Sequence, residues 1–501
     1  MNKYQPCKAC LAFVLSVLLG FNALTGAELP AIVTYAGKAA EGPFALERAA
    51  YEGDLSRLPI GVFDSGVGGL TVLDALIALD EFDNSTGEAG PDGVADFEHE
   101  RFIYLGDQAN MPYGNYPAEG KTGFLRELVV KDALFLLGRR YWQSREAESP
   151  SFDKPPVKAI VIACNTATAY GYDDVRAALE QWGVPVYLVG VVSAGAKGAL
   201  AATGGDGAVA VMATVGTCSS EGYVRAVENT WRAAELAPPP VVQQGCLGLA
   251  GAIEGDRSYI GAGPEFYKGP SRQNPAARIE RPADYYGFKR EGLVLVGDSS
   301  LMLNSVENYV RYHVLTLVEN YAATSPAIPI EGVILGCTHF PFYTEMFDEA
   351  FARLRDLEVE VGGSLVRPYR ELLAERIEFI DPARDTATEL YIELNRRGLL
   401  LGSAGDCVAG TDEFYISVTS PETPAARLEG GNAFSYVYKY GRSPGRLDAE
   451  YVRRVPMTAR SLSAESAVMV RDKLPSIWLR LVRFNSASPR VAGTAAADRL
   501  N

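Results

Sequence analysis

From Pro59 to about residue 340, short β-branched runs alternate with helical stretches, and this alternation constrains the fold more than any other feature of the chain. The strand-like runs are PIGVFD (59–64), RFIYLGD (101–107), VKAIVIAC (157–164), VPVYLVGVV (184–192), GAVAVMAT (207–214) and GVILGC (332–337). Between them lie helical stretches such as GLTVLDALIALDEF (69–82), with apolar spacing near 3.6, and DDVRAALEQWG (173–183). Parallel neighbours need a long crossover, usually a helix, so the pattern predicts an α/β fold with mainly parallel sheets. At 501 residues the chain exceeds one ordinary core, so two or three domains are expected.

Ligands in parallel α/β sheets bind outside the carboxyl ends of the strands. Reactive side chains stand at that position here: Asp64 and Ser65, Cys164 and Asn165, Cys337 and His339. Each group precedes an expected helix start, with Thr166 and Thr338 as candidate caps. Free N–H groups at such a start favour an anion, whether a thiolate or a substrate carboxylate. The chain also repeats itself loosely. IGVFDSGVG (60–68) matches VAVMATVGT (209–217), and VIACNT (161–166) matches ILGCTH (334–339). Two similar halves facing each other would bring both cysteines to one cleft.

The residues alone leave three chemistries open. A cysteine at a strand end is ordinarily inert packing, but two in matched contexts argue against coincidence. Zinc suits Cys337 beside His339 by ligand type, yet there is no CxxC and only His99, His313 and His339 are available. A nucleophilic Cys–His enzyme accounts for one thiol and leaves the other unexplained. DSGVGG (64–69) lacks the GxGxxG spacing and a Walker lysine, so nucleotide binding is not indicated.

The formal net charge of −15, with no basic stripe, disfavours nucleic-acid binding and anionic membranes. Residues 1–27 read as a signal peptide: Lys3 and Lys8, the apolar LAFVLSVLLGF (11–21), then small residues Thr25, Gly26 and Ala27. The apolar run is shorter than the roughly 20 residues a spanning helix needs, so no stable membrane anchor is expected after cleavage. No cysteine stands at the exit, which argues against a lipoprotein. Cleavage would leave a charge of −17, since two lysines go, and five cysteines: Cys164, Cys218, Cys246, Cys337 and Cys407. An odd, sparse set is no disulfide scaffold.

Three segments read as additions to the repeating pattern. Residues 80–100 are acidic and turn-rich; their Asp/Asn/Gly content hints at calcium, but the EF-hand ligand register is missing and a solvated loop fits better. Residues 255–292 are rich in Gly, Pro and Tyr and read as a surface insertion. Beyond about 403 the chain is again atypical, with strand-like EFYISV (413–418) and AFSYVYKY (433–440).

IGVFDSGVGGLTVL (60–73), FIYLGDQANMPYG (102–114), VIACNTATA (161–169) and LGCTHFPF (335–342) closely resemble, in family order, the motifs of the glutamate racemases, cofactor-independent members of the aspartate/glutamate racemase superfamily. The resemblance covers roughly residues 59–400. It implies two pseudo-symmetric α/β lobes with the active site in the cleft between them, no cofactor and no catalytic metal. It also implies a two-base reaction on glutamate, in which Cys164 deprotonates the D-enantiomer and Cys337 the L-enantiomer. Asp64 would assist Cys164, and His339 would assist Cys337, with Glu254 as a further auxiliary acid. Asp64, Ser65, Tyr113, Gly114, Asn165, Thr166, Thr338 and His339 match substrate-binding positions, and Thr217 would add a hydroxyl.

The expected partition is a signal peptide (1–27), a lead-in (28–58), lobe A (59–192), lobe B (193–359, with the insertion 255–292), a return to lobe A (360–402) and a C-terminal extension (403–501). The expected partner is a small amino acid, with a homodimer open as an assembly. Aspartate or another amino acid as substrate, and an exported amino-acid-binding protein without turnover, are the alternatives. Known glutamate racemases are typically shorter and cytoplasmic, whereas this chain reads as exported and periplasmic, where low-pKa thiols face oxidation.

Overall fold

The computed structural model describes residues 28–39, 41–261, 266–271, 286–296, 300–401, 412–429 and 433–501. Two separate sheets organise them. The first contains β1 (Ile60–Asp64), β2 (Phe102–Gly106), β3 (Ala159–Ile162) and β4 (Tyr187–Gly190), all parallel, in the order β2-β1-β3-β4. The second contains β5 (Ala208–Ala213), β6 (Val241–Gly245), β7 (Ile330–Gly336) and β8 (Leu373–Ile380), also parallel, in the order β6-β5-β7-β8. The two orders are the same, strand for strand. The faint repeat in the sequence is therefore a repeat of topology: β1 corresponds to β5, and β3, which leads into Cys164, corresponds to β7, which leads into Cys337.

Every residue of β1, β2 and β5 is buried, as expected of parallel strands covered on both faces. Helices Thr122–Leu137 and Asn165–Trp182 cover one face of the first sheet. Leu70–Ala78, Pro382–Arg396 and Pro475–Ala487 cover the other. The second sheet lies between Val306–Ala322 with Thr344–Arg355 and Val191–Thr203 with Gly222–Ala233. Leu70, Leu73 and Leu76, spaced at helical period, are fully buried, each contributing about 1.5–3 kcal/mol of apolar transfer.

Several boundaries differ from those expected. The stretch 28–58 is part of the first lobe's core. Helix Ala31–Lys38 buries Ile32, Val33 and Ala36, and Trp182 Nε1 donates to Val33 O at 2.9 Å. Its apolar positions are too few for a periodic signal. Within 360–402, β8 pairs with β7 in the second sheet, so the return to the first lobe begins only with helix Pro382–Arg396. Most of β8 is partly exposed, and such an edge strand does not encode its partner in its own pattern. The region beyond 403 is no appendage. β9 (Glu413–Thr419) joins the first sheet parallel to β2, and β10 (Val452–Pro456) closes that edge antiparallel to β9.

In the 80–100 loop, Asp80, Asp83, Asp92 and Asp96 accept hydrogen bonds from the loop's own amides. The insertion packs inward in part: Tyr286 stacks on Phe288 at 4.9 Å, and Tyr309 OH donates to Tyr259 O at 2.8 Å. The expected signal peptide, 1–27, and Cys407 lie outside the described residues. Among the described residues, no helix is long and apolar enough to cross a membrane.

Candidate active site

Cys164 follows β3 and caps helix Asn165–Trp182, its Sγ accepting from Ala167 N at 3.4 Å. Ser65 Oγ lies 3.7 Å from the same sulfur. Asp64, at the end of the neighbouring β1, is buried, and its Oδ2 accepts from Gly66 N at 3.3 Å and Gly69 N at 2.9 Å. Burial pushes the Asp64 carboxyl above its ordinary range, against the opposing pull of His339. Burial, and then the Asp64 charge, push the Cys164 thiol upward as well. This wall of the cleft therefore favours a protonated sulfur beside a carboxyl group.

The opposite wall is built differently. Cys337 follows β7, with its Sγ 3.7 Å from His339 Nδ1, and His339 Nε2 lies 2.7 Å from Glu254 Oε1. Glu254 arrives from the end of the short helix Leu249–Ile253. Burial alone would lower the imidazole's pKa, but Glu254 and the Cys337 sulfur outweigh it, so His339 stands well above its ordinary value. An imidazolium whose second N–H faces the sulfur gives a partner to the negative charge that forms when the thiol loses its proton.

The two walls meet through small residues. A Cβ on Gly68 would lie 2.5 Å from Thr338 Oγ1 and 2.6 Å from His339 Cε1, so the turn after β1 runs against the turn after β7. A Cβ on Gly216 would lie 2.4 Å from Gly114 O, which puts the turn after β5 against the 110–116 loop. Thr166 from the first lobe and Thr214 and Thr217 from the second form a triangle of hydroxyls, with Oγ1 separations of 3.2, 3.0 and 3.0 Å. Three hydroxyls from two facing helix starts can hold a carboxylate.

Asp64, Ser65, Asn165, Thr166, Thr217, Glu254, Thr338 and His339 thus cluster around the two cysteines. Tyr113 is the exception. Its hydroxyl lies 2.5 Å from Asp107 Oδ2 and 2.6 Å from Asp132 Oδ2, so only the main chain of Tyr113 and Gly114 is left for a ligand. Two residues were missed. Thr214 completes the hydroxyl triangle and could have been found from its match to Ser65 in the repeat. Tyr223 carried no signal; it is fully buried, donates to Asn165 Oδ1 and packs against Gly336, between the two cysteine-bearing strand ends. Among the described residues, no group of three or more His, Cys, Asp or Glu is placed to hold a metal ion. The four described cysteines are free thiols.

Fold and site define a two-lobed α/β protein with a buried free thiol at a strand end of each sheet. In sequence the chain is similar to glutamate racemases. It is 38% identical over 170 residues to that of Enterococcus faecalis, which spans 34% of this chain and 46% of the relative. It is 34% identical over 209 residues to that of Thermus thermophilus, which spans 42% of this chain and 63% of the relative. The chain thus spans about half the length of the curated relatives it matches. A solved glutamate racemase isoform from Bacillus anthracis superposes with a TM-score of 0.42 at 23% identity, over 72% of this chain and 88% of that one. No family model matches the chain.

Proposed function

We propose that the protein interconverts L- and D-glutamate by two-base proton transfer. The observation that carries this reading is the pairing of each strand-end thiol with its own proton-handling partner in one cleft: Cys164 with Asp64, and Cys337 with His339 and Glu254. Inverting a stereocentre needs a base on one face of the carbon and an acid on the other. A very weakly acidic α-proton also needs a base held in position and a site that stabilises the developing charge.

As a thiolate paired with the His339 imidazolium, Cys337 takes the α-proton of L-glutamate and becomes a thiol, and the protonated Cys164 gives its proton to the opposite face of the carbanion and becomes the thiolate. The reverse reaction exchanges the roles, with Asp64 next to Cys164 as the group that shifts the proton. The hydroxyls of Thr166, Thr214 and Thr217, the Tyr113–Gly114 main chain and the amide of Asn165 supply donors for the substrate carboxylates.

Exchange of the α-proton in D₂O under reducing conditions tests the proposal; no exchange with glutamate or aspartate would contradict it. D-Glutamate is a peptidoglycan precursor, so the reading places the product in cell-wall synthesis. The basic, apolar and small-residue order of 1–27 supports export to the periplasm, tested by sequencing the N-terminus of the protein from cells. A start near Glu28 is expected, and a start at Met1 would contradict it.

A further inference from the structure

The loop 107–116 brings Tyr113 and Gly114 to the cleft, and it is held from behind by groups the reaction does not use. Asp107, fully buried, accepts from Asn110 Nδ2 at 3.0 and 2.9 Å and from Tyr113 OH at 2.5 Å. Tyr113 has one hydroxyl hydrogen but two carboxyl neighbours. Burial and the Asp107 charge raise Asp132 to about 7, so a protonated Asp132 can donate to the phenol oxygen while the phenol donates to Asp107.

The C-terminal segment closes this network at both ends. Arg454 of β10 pairs with Asp132 at 2.8 Å. Arg442 donates to Asn110 Oδ1 at 2.6 Å and to Tyr116 OH at 3.2 Å, and its guanidinium lies 4.5–5.7 Å from the ring centres of Phe124, Phe434, Tyr438 and Tyr451. Helix Tyr436–Gly441 also seizes the loop's main chain. Lys439 Nζ donates to Met111 O at 2.5 Å, and Tyr440 OH donates to Pro112 O at 3.2 Å. The carbonyls of both residues before Tyr113 are thereby fixed.

We propose that Lys439 and Arg442 are positioning residues of the cleft, holding the 110–116 loop so that the Tyr113–Gly114 main chain is ordered before substrate arrives. The inference rests on the racemase reading above. A loop already ordered costs nothing further to order on binding, so its loosening weakens substrate binding more than the proton-transfer step.

The test uses the full chain and steady-state racemisation of glutamate. Lys439→Met is expected to raise KM about five- to twentyfold with kcat within about twofold, and Lys439→Arg, which still reaches Met111 O, to restore most of the affinity. An unchanged KM in folded Lys439→Met, or a loss confined to kcat, overturns the proposal. If Lys439→Met does not fold, Tyr440→Phe removes only the hydroxyl on Pro112 O; a smaller rise in KM is expected, and none overturns the proposal. Absence of racemisation in the wild type would overturn the functional reading instead. Amide hydrogen exchange over 110–116 then decides the present one: faster exchange in the variant supports it, and unchanged exchange contradicts it.

Discussion

Glu254 and His339 form a partly buried ion pair behind Cys337, Oε1 to Nε2 at 2.7 Å, with the other ring nitrogen turned to the sulfur at 3.7 Å. Because the folded-state pKa of His339 is raised, its imidazolium persists above the ordinary 6.5, and activity that needs it is lost only as pH rises through the elevated value. In Glu254→Gln only the Cys337 sulfur still opposes the effect of burial on His339, so the basic limb of the pH–rate profile moves to lower pH. At pH 8 kcat/KM is expected to fall about 10- to 100-fold, equally in both directions because the equilibrium constant of a racemisation is one. An unshifted basic limb would contradict the role of the pair.

The hydroxyl triangle predicts a binding defect. Thr217→Val removes one corner but leaves the Thr166–Thr214 contact at 3.2 Å. KM for glutamate is expected to rise about tenfold with little change in kcat, as for a group that contacts substrate and transition state alike. A fall in kcat at constant KM, measured by steady-state kinetics, would exclude that role.

Two adjacent glycines should separate stability from function. A Cβ at Gly69 meets Asp64 Cβ at 2.5 Å and Ala163 Cβ at 2.9 Å, atoms fixed close to the backbone. Gly69→Ala is expected to cost about 1–3 kcal/mol of stability, read as a lowered Tm. At Gly68 the added atom instead meets Thr338 and His339 across the cleft. Gly68→Ala is expected to lose activity with a smaller fall in Tm.

Tyr223→Phe leaves the buried Asn165 Oδ1 without the phenol donor. An unsatisfied buried acceptor costs about 1–3 kcal/mol, so denaturant unfolding should show a loss of that order. The Asn165 amide, no longer fixed beside Cys164, should also bind substrate less well. Unchanged stability and KM would show the contact to be incidental.

Much of this was legible in the sequence because its period and its polar punctuation coincide. The alternation of strands and helices gave the sheets, and strand ends carrying Asp64, Cys164, Cys337 and His339 gave the two walls. Even the repeat, though degenerate in residues, corresponds to an identical strand order. What stayed hidden was long-range pairing. Nothing local in LAERIEFI (373–380) says that it borders β7, or in EFYISV (413–418) that it borders β2. Tyr223 reads as a core aromatic on an amphipathic helix, and only the fold brings its hydroxyl to Asn165, 58 positions away. Tyr113 shows another limit: its motif does not say that its side chain goes to Asp107 and Asp132, leaving only its backbone for a ligand.

If two thiols act on opposite faces of one carbon, the fate of the α-hydrogen reveals it. Protiated L-glutamate is converted in D₂O under reducing conditions, and α-deuterium is measured separately in the two enantiomers at low conversion. The two-thiol mechanism gives D-glutamate that is fully deuterated at Cα while the remaining L-glutamate is still protiated, and no racemisation in Cys164→Ala or Cys337→Ala. Retention of the original proton in the product, or full activity in either variant, would contradict it.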